Sequence, residues 1–235
     1  STFMQRCIDM IQHDAALQKL PVRFCMDRAG LSPDDGPTHH GLFDIAMIRS
    51  IPNIVFMQPK DEAEFVHMLR TMNHYQNGPT VIRYPRGCGA GTPVPAKAEI
   101  LPIGKAEVLQ TGRDVTLVSL GPWIGIAREP ASLLEARGYT VTLINARFIK
   151  PLDDECIRRH AARSRVVCTF EDHSISGGFN SAVLESLETG DVKTPVEAIA
   201  WPDQFIEHGS ESILRKKYGL TAEAALQKII THLNS

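Results

Sequence analysis

Residues 34–41 read DDGPTHHG, two acids and two histidines around a Gly-Pro turn. Carboxylates and imidazoles in one short loop could ligate a metal, move a proton, or simply sit in a solvated turn. Neighbours on a regular element face different ways, and the H-x-x-x-H or C-x-x-C companions of a metal site are missing, so no metal is expected. A loop imidazole held for proton transfer or hydroxyl binding suits His39 or His40, with Asp35 beside them. The alternative is a plain turn in which Thr38 or Asp34 caps the helix that follows.

Two arginines lie where apolar runs end, in Asp27-Arg28-Ala29-Gly30 and in Tyr84-Pro85-Arg86-Gly87. Each stands near a glycine that lets the backbone come close. Two guanidiniums converging there would hold a phosphate or carboxylate through bidentate, charge-assisted hydrogen bonds. Alternatively each pairs with a local acid, Asp27 being the obvious one for Arg28. A third cluster is FEDHSISGG, residues 170–178. Its Gly-Gly opening a helix could cradle an anion, although the G-x-G-x-x-G spacing is absent; Glu171, Asp172 and His173 could equally line an interface. WPDQFIEHG, 201–209, is read as packing. His13, His67, His74, His160 and His232 fall in helix patterns as surface or satisfied positions, and Met47, Met57, Met68 and Met72 read as core.

The elements that must position these groups alternate. PVRFCMD (21–27), NIVFMQP (53–59) and PTVIRYP (79–85) are short apolar runs that suit buried parallel strands. Helical patterns at 42–51 and 61–75 separate them, the second with acids in its first turn. Residues 87–104 are rich in Gly and Pro and read as a linker. A second alternation follows: KAEVLQTG, RDVTLVSL, a helix within 124–137 that Pro130 opens or kinks, a strand at 139–147, a helix opened by Pro151, a strand at 166–172, a helix at 179–188, a strand at 195–202 and two closing helices. The expectation is α/β class, with two doubly wound domains, residues 1–95 and 96–235, each a parallel sheet flanked by helices. In such sheets ligands bind beyond the carboxyl ends of the strands, which is where Arg28, the histidine loop and Arg86 fall.

Bulk properties exclude other classes. The 235 residues are 43% hydrophobic and 22% charged, with net charge -2, so neither a nucleic-acid surface nor a polybasic membrane patch is indicated. No apolar stretch approaches the roughly 20 residues of a membrane span, and no signal peptide is evident. Five cysteines without C-x-x-C spacing read as small hydrophobes in a reducing, cytoplasmic setting. The first residues, STFMQRCIDMIQHDAAL, run straight into an amphipathic helix, as in a piece of a longer chain.

Taken together in this order, STFMQR, PVRFCMDRAG, DGPTHHGLFD, RYPRG, KPLDDE and FEDHSISGG resemble the 1-deoxy-D-xylulose-5-phosphate synthases, a family of thiamine-diphosphate-dependent enzymes in the transketolase group. The S/T-F-x-Q-R opening separates this family from ordinary transketolases and from the β subunits of 2-oxoacid dehydrogenases. The resemblance covers essentially the whole chain, as part of a pyrimidine-binding domain followed by a transketolase C-terminal domain. It implies decarboxylation of pyruvate on thiamine diphosphate and transfer of the two-carbon unit to glyceraldehyde 3-phosphate, giving a product that feeds isoprenoid precursors, thiamine and pyridoxal phosphate.

Carried over motif by motif, Phe3 stacks on the aminopyrimidine ring and Arg6 lies near it. Arg28 and Arg86 hold the acceptor's phosphate. Asp35 and His39 sit beside the reacting carbons, and His40 is a neighbour whose role stays open. The family's G-D-G…N motif for diphosphate and Mg²⁺ does not occur here, nor does the glutamate that lies upstream of S-T-F. Glu171-Asp172-His173 stands where many members have two glutamates. The resemblance therefore implies an N-terminal half carrying those groups, without which this chain is inactive, and a homodimer. The alternatives are the C-terminal subunit of a split transketolase, or a non-catalytic assembly module of the same fold.

Overall fold

A computed structural model describes residues 1–234 of the chain. The N-terminal helix, α1, has 3-10 geometry over Thr2–Cys7, one α-turn over Ile8–Met10 and π geometry over Ile11–Ala16. The first sheet then forms from β1 (Arg23–Met26), β2 (Val55–Met57) and β3 (Thr80–Arg83), with α2 (Asp44–Arg49) and α3 (Glu62–His74) in the connections. The strands are parallel in the order β1-β3-β2. Every residue of β2 and β3 is buried, as expected of parallel strands covered on both faces. Asp61 caps α3 by accepting the Glu64 N–H at 2.8 Å, and Glu62 and Glu64 complement the helix dipole. Residues 84–106 hold no helix or strand.

The second sheet has five strands in the order β4-β6-β5-β8-β9: Glu107–Gln110, Val141–Asn145, Val115–Ser119, Val166–Ser174 and Val196–Trp201. Helices α4 (Ile124–Glu135), α5 (Asp154–Ala161), α6 (Phe179–Thr189), α7 (Glu211–Lys217) and α8 (Ala222–Leu233) complete it. β4 runs antiparallel to β6 while the other pairings are parallel, so the sheet is mixed.

Several details depart from the sequence reading. The strand expected over 139–147 ends at Asn145; Arg147 takes a left-handed φ of 60°, and the chain crosses to the other sheet. There Phe148–Lys150 forms β7, antiparallel to β2. Pro151 therefore ends a strand rather than opening α5, which Asp153 caps by accepting the Cys156 N–H at 3.3 Å. Pro130 lies inside α4, six residues after its start. Neither Thr38 nor Asp34 caps α2: Phe43 is its N-cap residue, and Thr38 Oγ1 pairs instead with His39 Nδ1 at 2.9 Å. Met57, Met68 and Met72 are buried, but Met47 is half-buried. Cys156 and Cys168 are buried, whereas Cys25 and Cys88 face solvent.

The hydrophobic core crosses between the sheets. Ile45, Ile48 and Phe56 pack with Val118, Leu120, Ile144, Phe179 and Val183 in one cluster. Leu31 and Leu42, at the two ends of the histidine loop, lie in the core around Trp123, Phe170 and Trp201. The loop is thus anchored in the second half of the chain at both ends. Each fully buried aliphatic or aromatic side chain contributes about 1.5–3 kcal/mol to that anchoring.

Candidate functional site

The loop leaves β1 at Arg28 and returns at Gly41. Gly30 and Gly41 exchange backbone hydrogen bonds of 2.9 and 2.7 Å, which pinch its base shut. Inside, the N–H groups of Asp35 and Gly36 donate to the Ser32 carbonyl at 3.1 Å, and those of His39 and His40 donate to Gly36 at 3.0 and 3.2 Å. These bonds satisfy the backbone of a segment with no sheet partner. Gly30, at φ +80°, sits where a Cβ would fall 1.6 Å from Asp172 Oδ2. Only glycine lets this backbone approach the second sheet.

At the mouth of the loop, Arg28 Nη1 lies 3.7 Å and Arg86 Nη1 3.1 Å from the same Asp35 Oδ2, while Arg86 Nη2 reaches Asp34 at 3.1 Å. The arginines do converge, and their internal partners are Asp34 and Asp35, not Asp27. Ala29 N–H donates to the Tyr84 carbonyl at 3.0 Å, locking the ends of β1 and β3 side by side so that both guanidiniums share one edge. All four side chains are partly exposed, so these ion pairs are weak and open to exchange with a ligand.

Beside them lies a cavity of about 230 Å³ lined by Ser1, Thr2, Phe3, Asp27, Arg28 and His39. The ring of Phe3 meets His39 edge-on at 5.4 Å and is 55% exposed, and the Arg6 guanidinium lies 5.7 Å from its centroid. Thr2 Oγ1 donates to the His39 carbonyl at 2.6 Å and fixes that residue's backbone. With Nδ1 engaged by Thr38, His39 keeps Nε2 without a protein partner among the described residues. An exposed aromatic face bordering a cavity is a fit for a flat heteroaromatic ring. Among the described residues no group of three or more His, Cys, Asp or Glu could hold a metal ion.

His40 is turned the other way. It is 3% exposed, accepts the Ser32 N–H on Nδ1 at 2.9 Å and donates from Nε2 to the Glu207 carbonyl at 3.4 Å. Burial lowers its pKa, so the imidazole is neutral. Of the two adjacent histidines, one faces the cavity and one the protein.

Behind the loop is a group the sequence reading missed. Arg83, fully buried at the end of β3, donates to Asp44 at 3.1 Å, Gln58 at 2.6 Å, the Gly41 carbonyl at 3.3 Å and the Asp172 carbonyl at 3.2 Å. It ties the loop base, α2 and β8 together. An arginine inside the apolar run PTVIRYP was the available signal, since a buried charge needs partners. Asp172 accepts from Trp201 Nε1 at 2.6 Å and from the Leu31 N–H at 3.3 Å. Burial raises its pKa.

The Gly-Gly turn at 177–178 does open a helix whose N-terminus holds an acidic group, but that group is internal. Glu171 accepts the N–H groups of Phe179 and Asn180 at 2.6 and 2.7 Å and fills the N-terminus of α6. Burial pushes its pKa up to about 8 against those two donors. His173 donates to the Ser174 carbonyl at 2.6 Å and accepts the Ala46 N–H at 3.3 Å; burial lowers its pKa to about 4. No room is left there for an external phosphate, and the interface reading of this cluster is the one the geometry matches. A wider cleft of about 360 Å³ between α2, β7, α5 and α6 also carries cations, but they are committed. Arg49 binds Glu185 and the Gly177 carbonyl, Lys150 the carbonyls of Arg49 and Ile51, and Arg158 that of Ser186.

With this geometry in view, the chain belongs to the transketolase family: residues 1–90 match its pyrimidine binding domain and residues 104–224 the transketolase C-terminal domain. It is 52% identical over 238 aligned residues to a 1-deoxy-D-xylulose-5-phosphate synthase of Methylacidiphilum infernorum, covering 100% of this chain and 38% of that protein. It is likewise 51% identical to each of the enzymes of the same name from Acidobacterium capsulatum and Heliobacterium modesticaldum, over 99% and 94% of this chain and 37% and 34% of theirs. The chain thus spans little more than a third of the length of these relatives. Among solved structures it is similar to a split-gene transketolase described as an inactive β4 tetramer, with TM-score 0.87, 30% identity, and coverage of 99% of this chain and 74% of that one. No helix among the described residues is long and apolar enough to cross a membrane.

Proposed function

We propose that this chain supplies the acceptor-binding side of a 1-deoxy-D-xylulose-5-phosphate synthase, which condenses pyruvate with glyceraldehyde 3-phosphate and releases CO₂. The observation that carries the reading is the convergence of Arg28 and Arg86 on the single Asp35 carboxylate, beside a cavity bordered by Phe3 and His39. A phosphate brings more charge and more acceptor oxygens than Asp35 and displaces it from the two guanidiniums. Asp35 is then free to turn toward the reacting carbons.

In this reading the exposed face of Phe3, with Arg6 beside it, receives the aminopyrimidine of thiamine diphosphate, which supplies the electron sink for decarboxylation. Diphosphate and Mg²⁺ are held in this reading by an N-terminal half outside these 235 residues. When the new C–C bond forms, the acceptor's aldehyde oxygen takes up a proton. His39 Nε2–H, on the ring whose Nδ1 pairs with Thr38, is the group we assign to provide it, and the Asp35 carboxylate accepts a substrate hydroxyl. A homodimer, a reducing cytoplasmic setting and supply of isoprenoid, thiamine and pyridoxal phosphate precursors go with this reading.

The test is reconstitution. The chain is mixed with a thiamine-diphosphate-binding half from a relative, thiamine diphosphate and Mg²⁺, and association is verified by sedimentation. Release of CO₂ from pyruvate with formation of a phosphorylated deoxyketose is expected; associated halves that release none contradict the proposal. The likeness to a split-gene transketolase supports a second reading, a C-terminal subunit using ketose phosphates as donors. Turnover with ketose phosphate and none with pyruvate would select it.

A further inference from the structure

We propose that His40 is a positioning residue: a neutral imidazole latch through which the segment at 203–210 holds the Asp35–His39 loop in register with Arg28 and Arg86. Its two ring nitrogens do separate work. Nδ1 accepts the Ser32 N–H inside the loop, and Nε2–H reaches the Glu207 carbonyl outside it. Glu207 is itself fixed, because its carboxylate accepts from Tyr218 Oη at 2.5 Å and from Lys217 Nζ. Ile206 beside it is 1% exposed, and a Cβ on Gly36 would sit 3.3 Å from His208 Cβ, so the segment also touches the loop tip. The contact runs from α7, through Glu207 and His40, to Ser32, whose carbonyl receives the Asp35 and Gly36 N–H groups.

The Nδ1 bond requires a neutral ring, because a protonated imidazole has no acceptor to offer Ser32. The charged and titratable groups facing His40 are Asp172 and His208, with Arg215 behind Asp172. Asp172 favours the protonated ring and His208 opposes it, while burial is the largest influence and keeps the ring neutral. Acid below the ordinary histidine range therefore opens the latch.

The inference rests on the proposed reaction only for its kinetic consequence. The latch itself is read by amide exchange of Leu31, Ser32, Asp35 and Gly36 in the chain as it stands, with the β5 amides as a control for folding. His40→Asn places an amide oxygen near the Nδ1 position and keeps the Ser32 bond. His40→Gln reaches Glu207 but loses Ser32, and His40→Leu loses both. Exchange at Ser32 is expected to rise at least tenfold in His40→Leu and His40→Gln and less than threefold in His40→Asn, and the wild-type protection factor, taken against the intrinsic rate at each pH, to fall on acidification below the ordinary histidine range. Equal protection of Ser32 in wild type and His40→Leu, or equal loss in the Asn and Leu variants with β5 still protected, overturns the proposal. In the reconstituted enzyme His40→Leu should raise KM for the phosphorylated aldehyde at least fivefold while CO₂ release from pyruvate changes less than twofold. The exchange result decides the latch even where the reconstituted enzyme shows no turnover, so the two proposals fail separately.

Discussion

The carboxyl edges of the two sheets are built alike and used in opposite ways. At the first, the chain leaving β1 and β3 carries Arg28 and Arg86, both partly exposed and paired with the exposed acids Asp34 and Asp35. At the second, the corresponding space is filled by the first half of the chain. Gln58 lies where a Cβ on Gly121 would be 2.5 Å away, Asn145 binds Glu64 at 2.9 Å, and the Asp172 carbonyl takes Arg83. Glu64, 2% exposed, also binds Arg147 at 2.6 Å and Lys60 at 3.3 Å. Parallel sheets offer a binding crevice at this edge; here one crevice stays open and the other is consumed in docking. Charges at the closed edge are therefore held in internal pairs, and those at the open edge are, in the proposed function, the groups that meet a ligand.

That contrast can be broken by substitution. Arg83→Met, at the closed edge, leaves Asp44 buried and uncompensated. It should cost about 3–5 kcal/mol in denaturant unfolding; a loss under 1 kcal/mol would mean that the buried hub holds nothing together. Next in size is acid sensitivity. The unfolded chain's imidazole binds a proton near pH 6.5, whereas native His173 stays neutral to about 4. Between those values the unfolded state holds more protons, so stability falls as the pH drops, by up to about 3 kcal/mol at pH 4 relative to His173→Gln. Parallel pH profiles of the two proteins would exclude this. Glu171→Gln turns an amide N–H toward a backbone donor at the start of α6 and should cost about 1–3 kcal/mol. At the open edge, Arg28→Ala should change stability by less than about 1 kcal/mol; a loss as large as that of Arg83→Met would erase the distinction between the edges.

The alternation of helices and strands, and the placement of both arginines at strand ends, were legible because they rest on local pattern. What escaped depends on distance along the chain. Asp27 is Arg28's neighbour in sequence, but a left-handed turn at Arg28 carries the side chain to Asp35. β7 is three residues long and lies directly after a strand of the other sheet, so no periodicity separates them. At the Gly-Gly turn at 177–178, local pattern leaves an anion cradle and an interface both open, because it does not show that Glu171, eight residues before Phe179, occupies the helix N-terminus. For the adjacent histidines, spacing says that they diverge; only the packing of Ile206 and Glu207 says which one faces inward.

The most direct measurement uses Arg86→Ala in the reconstituted enzyme, comparing transfer to glyceraldehyde 3-phosphate with CO₂ release from pyruvate alone. Losing charge-assisted bonds worth about 1.5–3 kcal/mol should lower kcat/KM for the phosphorylated aldehyde by roughly 10- to 100-fold. Decarboxylation should stay within about twofold of the wild type, since pyruvate carries no phosphate for Arg86 to hold. Equal losses in both would contradict the assignment of the open edge as the acceptor's phosphate site.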